Sequence, residues 1–481
     1  MSFSDFLSPW RAVESAPDLR VRNCQIVDRK TSIRLPPSNN CIDQCCLKTE
    51  GVVSRKLLAL VLGPLIGLFI VSLGNGFISS LTSLRLDSAG VSDTMIGLVS
   101  SSYFVGLALG AMFGDRLIKS IGHIRAYSSF ASLTAVTFLL QGLIFDPWAW
   151  FFFRLVNGLA IVGIFLVVES WLLLSGDQKM RGRLLAIYMI ALYGAGMLGQ
   201  LQLGVINAWG ETAPFMIAGM LASLSVLPMV ILPRVAPEVG DIEPLLPQDL
   251  LRITPTGVLG TFGSGIAIAG MYALLPIYLQ RVGMSITQVG YLMACVILGA
   301  MLLQYPVGRW SDRQDRQVVL IALSVFCAVL SVLILMLPES MLLLAVLLFL
   351  LGGGVFALYP VAVSHATDTV SAGELVRVIQ GMLLINSVGS AISPLIISPT
   401  MKQVGDSGFF WSFVVLNVAM ALFFIWRRKV HPASTPTAPF EAATQMSPVG
   451  AEIRVTDELV QATLEREHLE EHAAQPVPQA G

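Results

Sequence analysis

Two ionisable residues, Arg154 and Glu169, stand inside a single apolar stretch, PWAWFFFRLVNGLAIVGIFLVVESWLLLS, which begins at Pro147. A charge at membrane depth costs several kcal/mol unless it is paired or wetted, so each is a functional candidate by default. Arg154 lies roughly 9 Å in from Trp148 at about 1.5 Å per helical residue, and Glu169 roughly 22 Å further on, near the opposite face. Arg154 could bind an anionic group of a solute, tune a proton site, or serve as a structural link to backbone carbonyls. Glu169 falls where Arg116, Lys119 and Arg183 are expected, which favours a salt bridge at a gate over proton carriage at mid-depth. A second concentration of charge is Gly308-Arg309-Trp310-Ser311-Asp312-Arg313-Gln314-Asp315-Arg316, where Gly permits close helix approach and the alternating Asp and Arg can pair with a neighbouring helix end. His365 could titrate, bind substrate or make an interfacial hydrogen bond. Asn75, Gln141, Asn157, Tyr193, Tyr272, Tyr359, Gln380 and Asn386 are polar enough to line a cavity, and Gln200 sits among glycines 194, 196, 199 and 204. Gly352-Gly353-Gly354 is not a phosphate loop, because no Gly-Lys-Ser/Thr follows it.

The elements that must position these residues are membrane helices. The chain has 481 residues, 55% hydrophobic and 13% charged, against about a quarter charged in soluble proteins. Its mean hydropathy is +0.74, which excludes a water-soluble enzyme and implies many spans of about 20 apolar residues each. A net charge of −1 gives no basic field for nucleic acid. Twelve apolar runs alternate with short turns, at about 57–83, 94–114, 126–145, 148–174, 184–207, 212–233, 256–280, 286–308, 318–337, 341–366, 376–398 and 408–426. Cys41, Cys45 and Cys46 cluster near the start but carry no zinc-type His spacing, and Cys295 and Cys327 are too far apart to suggest a redox pair. No metal or cofactor is expected.

With both termini cytoplasmic, seventeen Lys and Arg flank the cytoplasmic ends of these runs and three, Arg85, Arg281 and Lys402, the opposite ends. That is the asymmetry basic loops impose. GVSDTMIG from Gly90 realigns with GMSITQVG from Gly283, a shift of 193 residues that also superposes Gly97 on Gly290 and Gly106 on Gly299. The second and eighth runs are therefore equivalent, and the chain divides into two six-helix halves. The expected organisation is a polar leader over 1–55, a six-helix bundle over 56–233, a Pro-containing linker over 234–254, a second bundle over 255–429 and a cytoplasmic tail over 430–481. The leader is either a cytoplasmic tail or an over-long start assignment, with the protein beginning near Val52 or Val53; no Met stands between Met1 and Met95.

Gly308 to Arg316 resembles the G-x-x-x-D-R-x-G-R signature of the major facilitator superfamily, with Asp315 in place of the second Gly. The first-half copy departs from it. The 193-residue shift puts Asp115, Lys119, Ser120, Gly122 and His123 at the signature positions, while another frame uses Asp115-Arg116 with Ala111 and Lys119 outside them. Arg154-Leu-Val-Asn157-Gly158 resembles the superfamily's fourth-helix R-x-x-x-G motif. The fifth run is similar to its antiporter motif, with Gln200 replacing the Pro after the central Gly. LVSSSYFVG from Leu98, VVESWLLLSG from Val167, RGRLLAIYM from Arg181, GQL from Gly199 and FALYPVAV from Phe356 resemble the YcaD-like branch. The resemblance implies an all-α integral membrane protein of twelve helices in two pseudo-repeated bundles. It implies a secondary transporter of the bacterial inner membrane, working by alternating access. The partners it implies are a small-molecule substrate, membrane lipid and, if ion-coupled, a coupling proton. Substrate and coupling candidates are Arg154, Asn157, Tyr193, Gln200, Tyr359, His365 and Asn386. The cytoplasmic gate would comprise Asp115, Arg116, Lys119, Glu169, Arg183, Gly308, Asp312, Arg313 and Arg316. Multidrug/proton efflux and a transporter-like sensor that moves nothing are the rival readings.

Overall fold

The computed structural model describes residues 39–175, 178–231, 247–336, 340–368, 370 and 375–430, with the side chains of 39–60, 115, 173–183, 247–249 and 375–376 outside the description. Expectations for the leader, the cysteine cluster, the linker core, the tail and the side chains of Asp115 and Arg183 therefore lie outside the described residues. The chain divides into two units between Lys56 and Leu57, and the second contains the membrane bundle.

Helix is the only regular structure among the described residues. The order is α1 (Asn39–Ser88), α2 (Asp93–Ile121), α3 (His123–Leu143), α4 (Pro147–Ser175), α5 (Gln178–Asn207), α6 (Ala213–Leu224, continued by Val226–Val230), a short linker helix (Pro247–Ile253), α7 (Pro255–Ala273, continued by Leu275–Arg281), α8 (Ile286–Ser311), α9 (Arg316–Met336), α10 (Met341–Thr367), α11 (Leu375–Val404) and α12 (Gly408–Val430). Eleven of these are long and apolar enough to cross a bilayer. The remaining member, α3, is as long as α9, at 21 residues, but carries a polar first half, HIRAYSSFAS, which holds its hydropathy down. Its packing between α4 and α6 makes it a full member of the bundle. Large apolar side chains such as Val136, Phe152, Ile190, Leu302, Val329 and Val415 are exposed around the outside, as a lipid-facing surface requires.

The internal repeat is written in the packing. A Cβ on Gly106 of α2 would fall 2.0 Å from the carbonyl oxygen of Leu155 in α4, and one on Gly299 of α8 would fall 1.8 Å from that of Phe349 in α10. In return, a Cβ on Gly158 of α4 would meet the oxygen of Tyr103 at 2.1 Å, and one on Gly352 of α10 that of Val296 at 2.3 Å. Only glycine permits backbones this close. The same symmetry sets the turns: Gly90 and Gly283 both adopt left-handed φ, at 73° and 92°, which costs glycine little. Two residues later Ser92 and Ser285 cap α2 and α8 through the amides of Met95 and Gln288.

The halves meet along two seams, α2 against α11 and α5 against α8. Gly97 approaches the carbonyl of Pro394, 2.8 Å from its would-be Cβ, and Gly290 approaches that of Gln200 at 2.4 Å. Ser398 of α11 donates to the Asp93 carbonyl of α2. These contacts lie toward the end of the bundle where α1 joins α2 and α7 joins α8, the far end below; α1 begins and α12 finishes at the near end. α7 breaks at Leu274, just before Pro276, whose missing N–H and ring clash interrupt the helical ladder.

Candidate functional site

Between the halves, in the part nearer the far end, lies a cavity of about 80 Å³, measured for the centres of water-sized molecules. Its wall draws on both halves. α1 supplies Ser72, Asn75, Gly76, Ser79, Thr82 and Ser83, α2 supplies Ser100, Tyr103 and Phe104, α4 supplies Arg154 and Phe165, and α5 supplies Leu192, Tyr193 and Gly196. Tyr272, Ala273, Ile297 and Phe356 close it from the second half. The α1 residues recur at three- and four-residue spacing, so one helical face carries a polar stripe.

Among the described residues, Arg154 is the only charged side chain in that wall. It is 4% exposed, its guanidinium lies 4.2 Å from the centre of the Tyr103 ring, and its Nε and Nη1 have no hydrogen-bond partner among those residues. The ring face attracts the cation electrostatically but supplies no counter-charge. The reading of Arg154 as a link to backbone carbonyls is therefore not what the geometry holds. Asn75 Nδ2 donates to the Tyr103 hydroxyl at 3.3 Å, while Asn75 Oδ1 and Ser72 Oγ are buried without partners among the described residues. Tyr193 also faces the cavity, accepts from Gln304 Nε2 across the α5/α8 seam at 3.4 Å, and packs edge-on to Phe356.

Other candidates are positioned elsewhere. Asn157 is fully buried, donates to Thr137 Oγ1 of α3 at 3.2 Å and lies outside the cavity wall. Gln200 Nε2 donates to the Gly76 carbonyl at 2.7 Å and to Ser80 Oγ at 2.8 Å; it ties α5 to α1. Asn386 donates to the Thr261 carbonyl and Ser264 Oγ, both at 3.0 Å, and borders a smaller cavity of about 20 Å³ that shares Phe104 and Tyr272 with the main one. Tyr359 and His365 are buried in α10, outside the walls of both cavities.

At the near end the charge cluster knits the second half together. Arg316, in the first turn of α9, pairs with Asp368 at 2.9 Å and Asp312 at 3.7 Å and donates to the Ser364 carbonyl. Asp315 pairs with Arg428 of α12 at 3.1 Å. These pairs run between elements of one half and brace α8, α9, α10 and α12. Arg313 is exposed and Gly308 buried in the last turns of α8. In the first half His123 Nε2 lies 3.0 Å from Ser170 Oγ, just as Arg316 meets Ser364 in the second, and Gly122 takes φ 83° between α2 and α3. The 193-residue frame is thus the one realised in space, with His123 where Arg316 stands. Arg116 stacks on Phe113 at 5.7 Å, and Lys119 is exposed at the end of α2. Glu169 is 3% exposed and lies within electrostatic reach of Tyr359 in the opposite half.

An ionic link between the halves, among the described residues, falls outside the expected gate, at the other end of the bundle. Arg281, at the end of α7, meets Asp87 of α1 at 2.6 Å, Asp93 of α2 at 2.5 Å and Asp406 before α12 at 3.4 Å. Burial opposes its charge, and the hydrogen bonds and charges of Asp87 and Asp93 outweigh that, holding its pKa above the ordinary value. Gln280 Nε2 adds a 3.3 Å contact to Ser88 Oγ. The signal in the sequence is an arginine on the side poor in cations, opposite an aspartate inside the repeated GVSDTMIG string.

The model of the Major Facilitator Superfamily matches residues 65–285 and 257–463. An uncharacterized MFS-type transporter YcaD of Salmonella arizonae is 32% identical over 377 residues, covering 78% of this chain and 97% of that protein. An uncharacterized MFS-type transporter of Yersinia enterocolitica is 33% identical over 388 residues, 80% of this chain and 98% of its own. Among solved structures, a point mutant of the nucleoside transporter NupG superposes with a TM-score of 0.66 at 16% identity, over 76% of this chain and 99% of that one. A D-xylose-proton symporter gives 0.59 at 13% identity, over 76% and 96%. The glycine-paired halves and the sequence identity that runs through them lead to one assignment: this chain belongs to the major facilitator superfamily, as a transporter of its YcaD-like branch.

Proposed function

We propose that the protein moves a small solute through the central cavity by alternating access, driven by a gradient, in the bacterial inner membrane with both chain ends in the cytoplasm. The observation that carries this reading is a cavity walled by both halves and shut at one end by contacts that separable bodies make. Those contacts are the two glycine seams and the Arg281 cluster. Arg154 and Tyr193, with Asn75 and Tyr272, are the substrate-facing members of the candidate set; Gln200 and Asn386 hold helices in place. Glu169, within electrostatic reach of Tyr359 in the other half, belongs to the near-end gate, while Arg316 and Asp312 keep the second half rigid behind it. A small solute suits the scale of the cavity, and a nucleoside and D-xylose are named for two proteins that share the fold. The three cations at the far end against the many at the near end support the orientation.

Spin labels at Val91→Cys and Lys402→Cys, on either side of the α2/α11 seam, test the alternation. One short distance is expected in the wild type, and a second, longer population in Arg281→Gln. A single unchanged distance in Arg281→Gln and under every solute tried would overturn the reading.

A further inference from the structure

The central cavity contains one permanent positive charge and, among the described residues, nothing to balance it. An arginine keeps its proton under all ordinary conditions, and burial makes a lone charge unfavourable unless something pairs with it. Here the guanidinium of Arg154 is buried, carries N–H groups without acceptors among the described residues, and faces a wall in which none of those residues is Asp or Glu. Two further polar atoms at the same cavity, Ser72 Oγ and Asn75 Oδ1, are also buried and unpartnered among the described residues. Ser79, Thr82, Ser83 and Ser100 continue the polar side of the wall, and opposite chemistry comes from the rings of Tyr103, Phe104, Tyr193, Tyr272 and Phe356 and the side chain of Ile297.

Resting on the transport reading above, we propose that the solute is a small organic monoanion with a planar apolar body, whose oxyanion is the counter-charge Arg154 lacks, and that the protein exchanges one such anion for another. The charge count selects the ligand, because with one cation in the wall a monoanion gives a neutral complex and a divalent phosphate leaves an unbalanced charge. A carboxylate suits the guanidinium, whose N–H groups can donate to both oxygens. The rings take the body, and Ser72 and Asn75 supply a hydroxyl and a carbonyl oxygen for a polar substituent. Exchange follows from the same charge. To change sides the halves must pass through a closed state; empty, that state encloses a bare cation, and loaded, a neutral pair. The loaded carrier therefore crosses quickly and the empty one slowly, so net uniport is suppressed while anion-for-anion exchange runs. An acidic wall residue, which could neutralise the arginine on the empty return, is absent among the described residues.

The test uses the full chain, in detergent and in proteoliposomes. In detergent, acetate, benzoate, phenylacetate and salicylate are compared with benzamide and benzylamine by thermal unfolding. Stabilisation by the aromatic carboxylates and not by the amide or the amine is expected, since only a ligand of the folded state raises its melting temperature. Arg154→Gln should melt no lower than wild type without ligand and lose the carboxylate response; Arg154→Lys, which keeps the charge, should retain a weaker one. In vesicles, uptake of radiolabelled benzoate should be at least tenfold faster when the lumen is preloaded with benzoate than when it holds only neutral buffer. Equal uptake into empty vesicles would overturn the exchange mechanism. Stabilisation by benzylamine, failure of every carboxylate, or a lower melting temperature in Arg154→Gln would overturn the anion site. If in any of those cases the spin-label pair at 91 and 402 gains its second, longer distance in Arg281→Gln, the substrate class has failed and alternating access has not.

Discussion

Arg316 and Asn157 show how differently buried polar residues can matter. The Arg316 and Asp368 side chains are 1% and 3% exposed and 2.9 Å apart, so Arg316→Gln removes a charge partner from a buried carboxylate. A loss of about 3–5 kcal/mol is expected, read by unfolding in detergent, with much of it recovered in the double variant Arg316→Gln/Asp368→Asn. Asn157 makes one interhelical hydrogen bond inside the first half. Its replacement by Ala should cost on the order of 0.6 kcal/mol, the average for such bonds in membranes, and leave solute transport unchanged. Arg154 is legible as a candidate because an arginine in an apolar run announces itself. The facing of Asn157 is not, since a polar residue three positions along could turn toward the cavity or toward α3, and the neighbour that decides, Thr137, lies 20 residues away in sequence.

The helices are legible because a membrane leaves the backbone no other way to satisfy itself, and the repeat because Gly90, Gly97 and Gly106 keep their spacing in the second half. What spacing cannot convey is what each glycine touches. Gly106 and Gly299 face carbonyl oxygens at 2.0 and 1.8 Å from a would-be Cβ, while Gly194 has open space around its own. Ala at either of the first two positions should destabilise by about 1–3 kcal/mol, and by similar amounts in both, whereas Gly194→Ala should be near neutral. Unequal losses at 106 and 299 in detergent unfolding would argue against equivalent packing. The polar stripe of α1 is hard to read in advance, although Ser72, Asn75, Ser79 and Thr82 keep helical spacing. Serine and threonine are common in membrane helices, because their hydroxyls can return to a preceding carbonyl, as Ser79 and Thr82 do.

For the molecule as a whole, the uneven distribution of cations predicts a sidedness that chemical labelling can read. In intact cells a cysteine at Trp209, exposed at the far end, should react with an impermeant maleimide, and one at Gln314, exposed at the near end, only after permeabilisation. The reverse pattern would invert the assigned orientation. The Arg281 cluster is partly solvated, so added salt should weaken it and speed the labelling of far-end cysteines next to the seams. The glycine contacts also decide what a motion of this protein can be made of. Where α2 lies against α4, and α8 against α10, backbone meets backbone with no side chain between them to act as a cushion. Each pair is in effect a single girder. Displacement has to be taken up at joints outside these girders, in the two seams and the interruption of α7 ahead of Pro276, so stiffness inside each half is what lets a small slip at one end become an opening at the other.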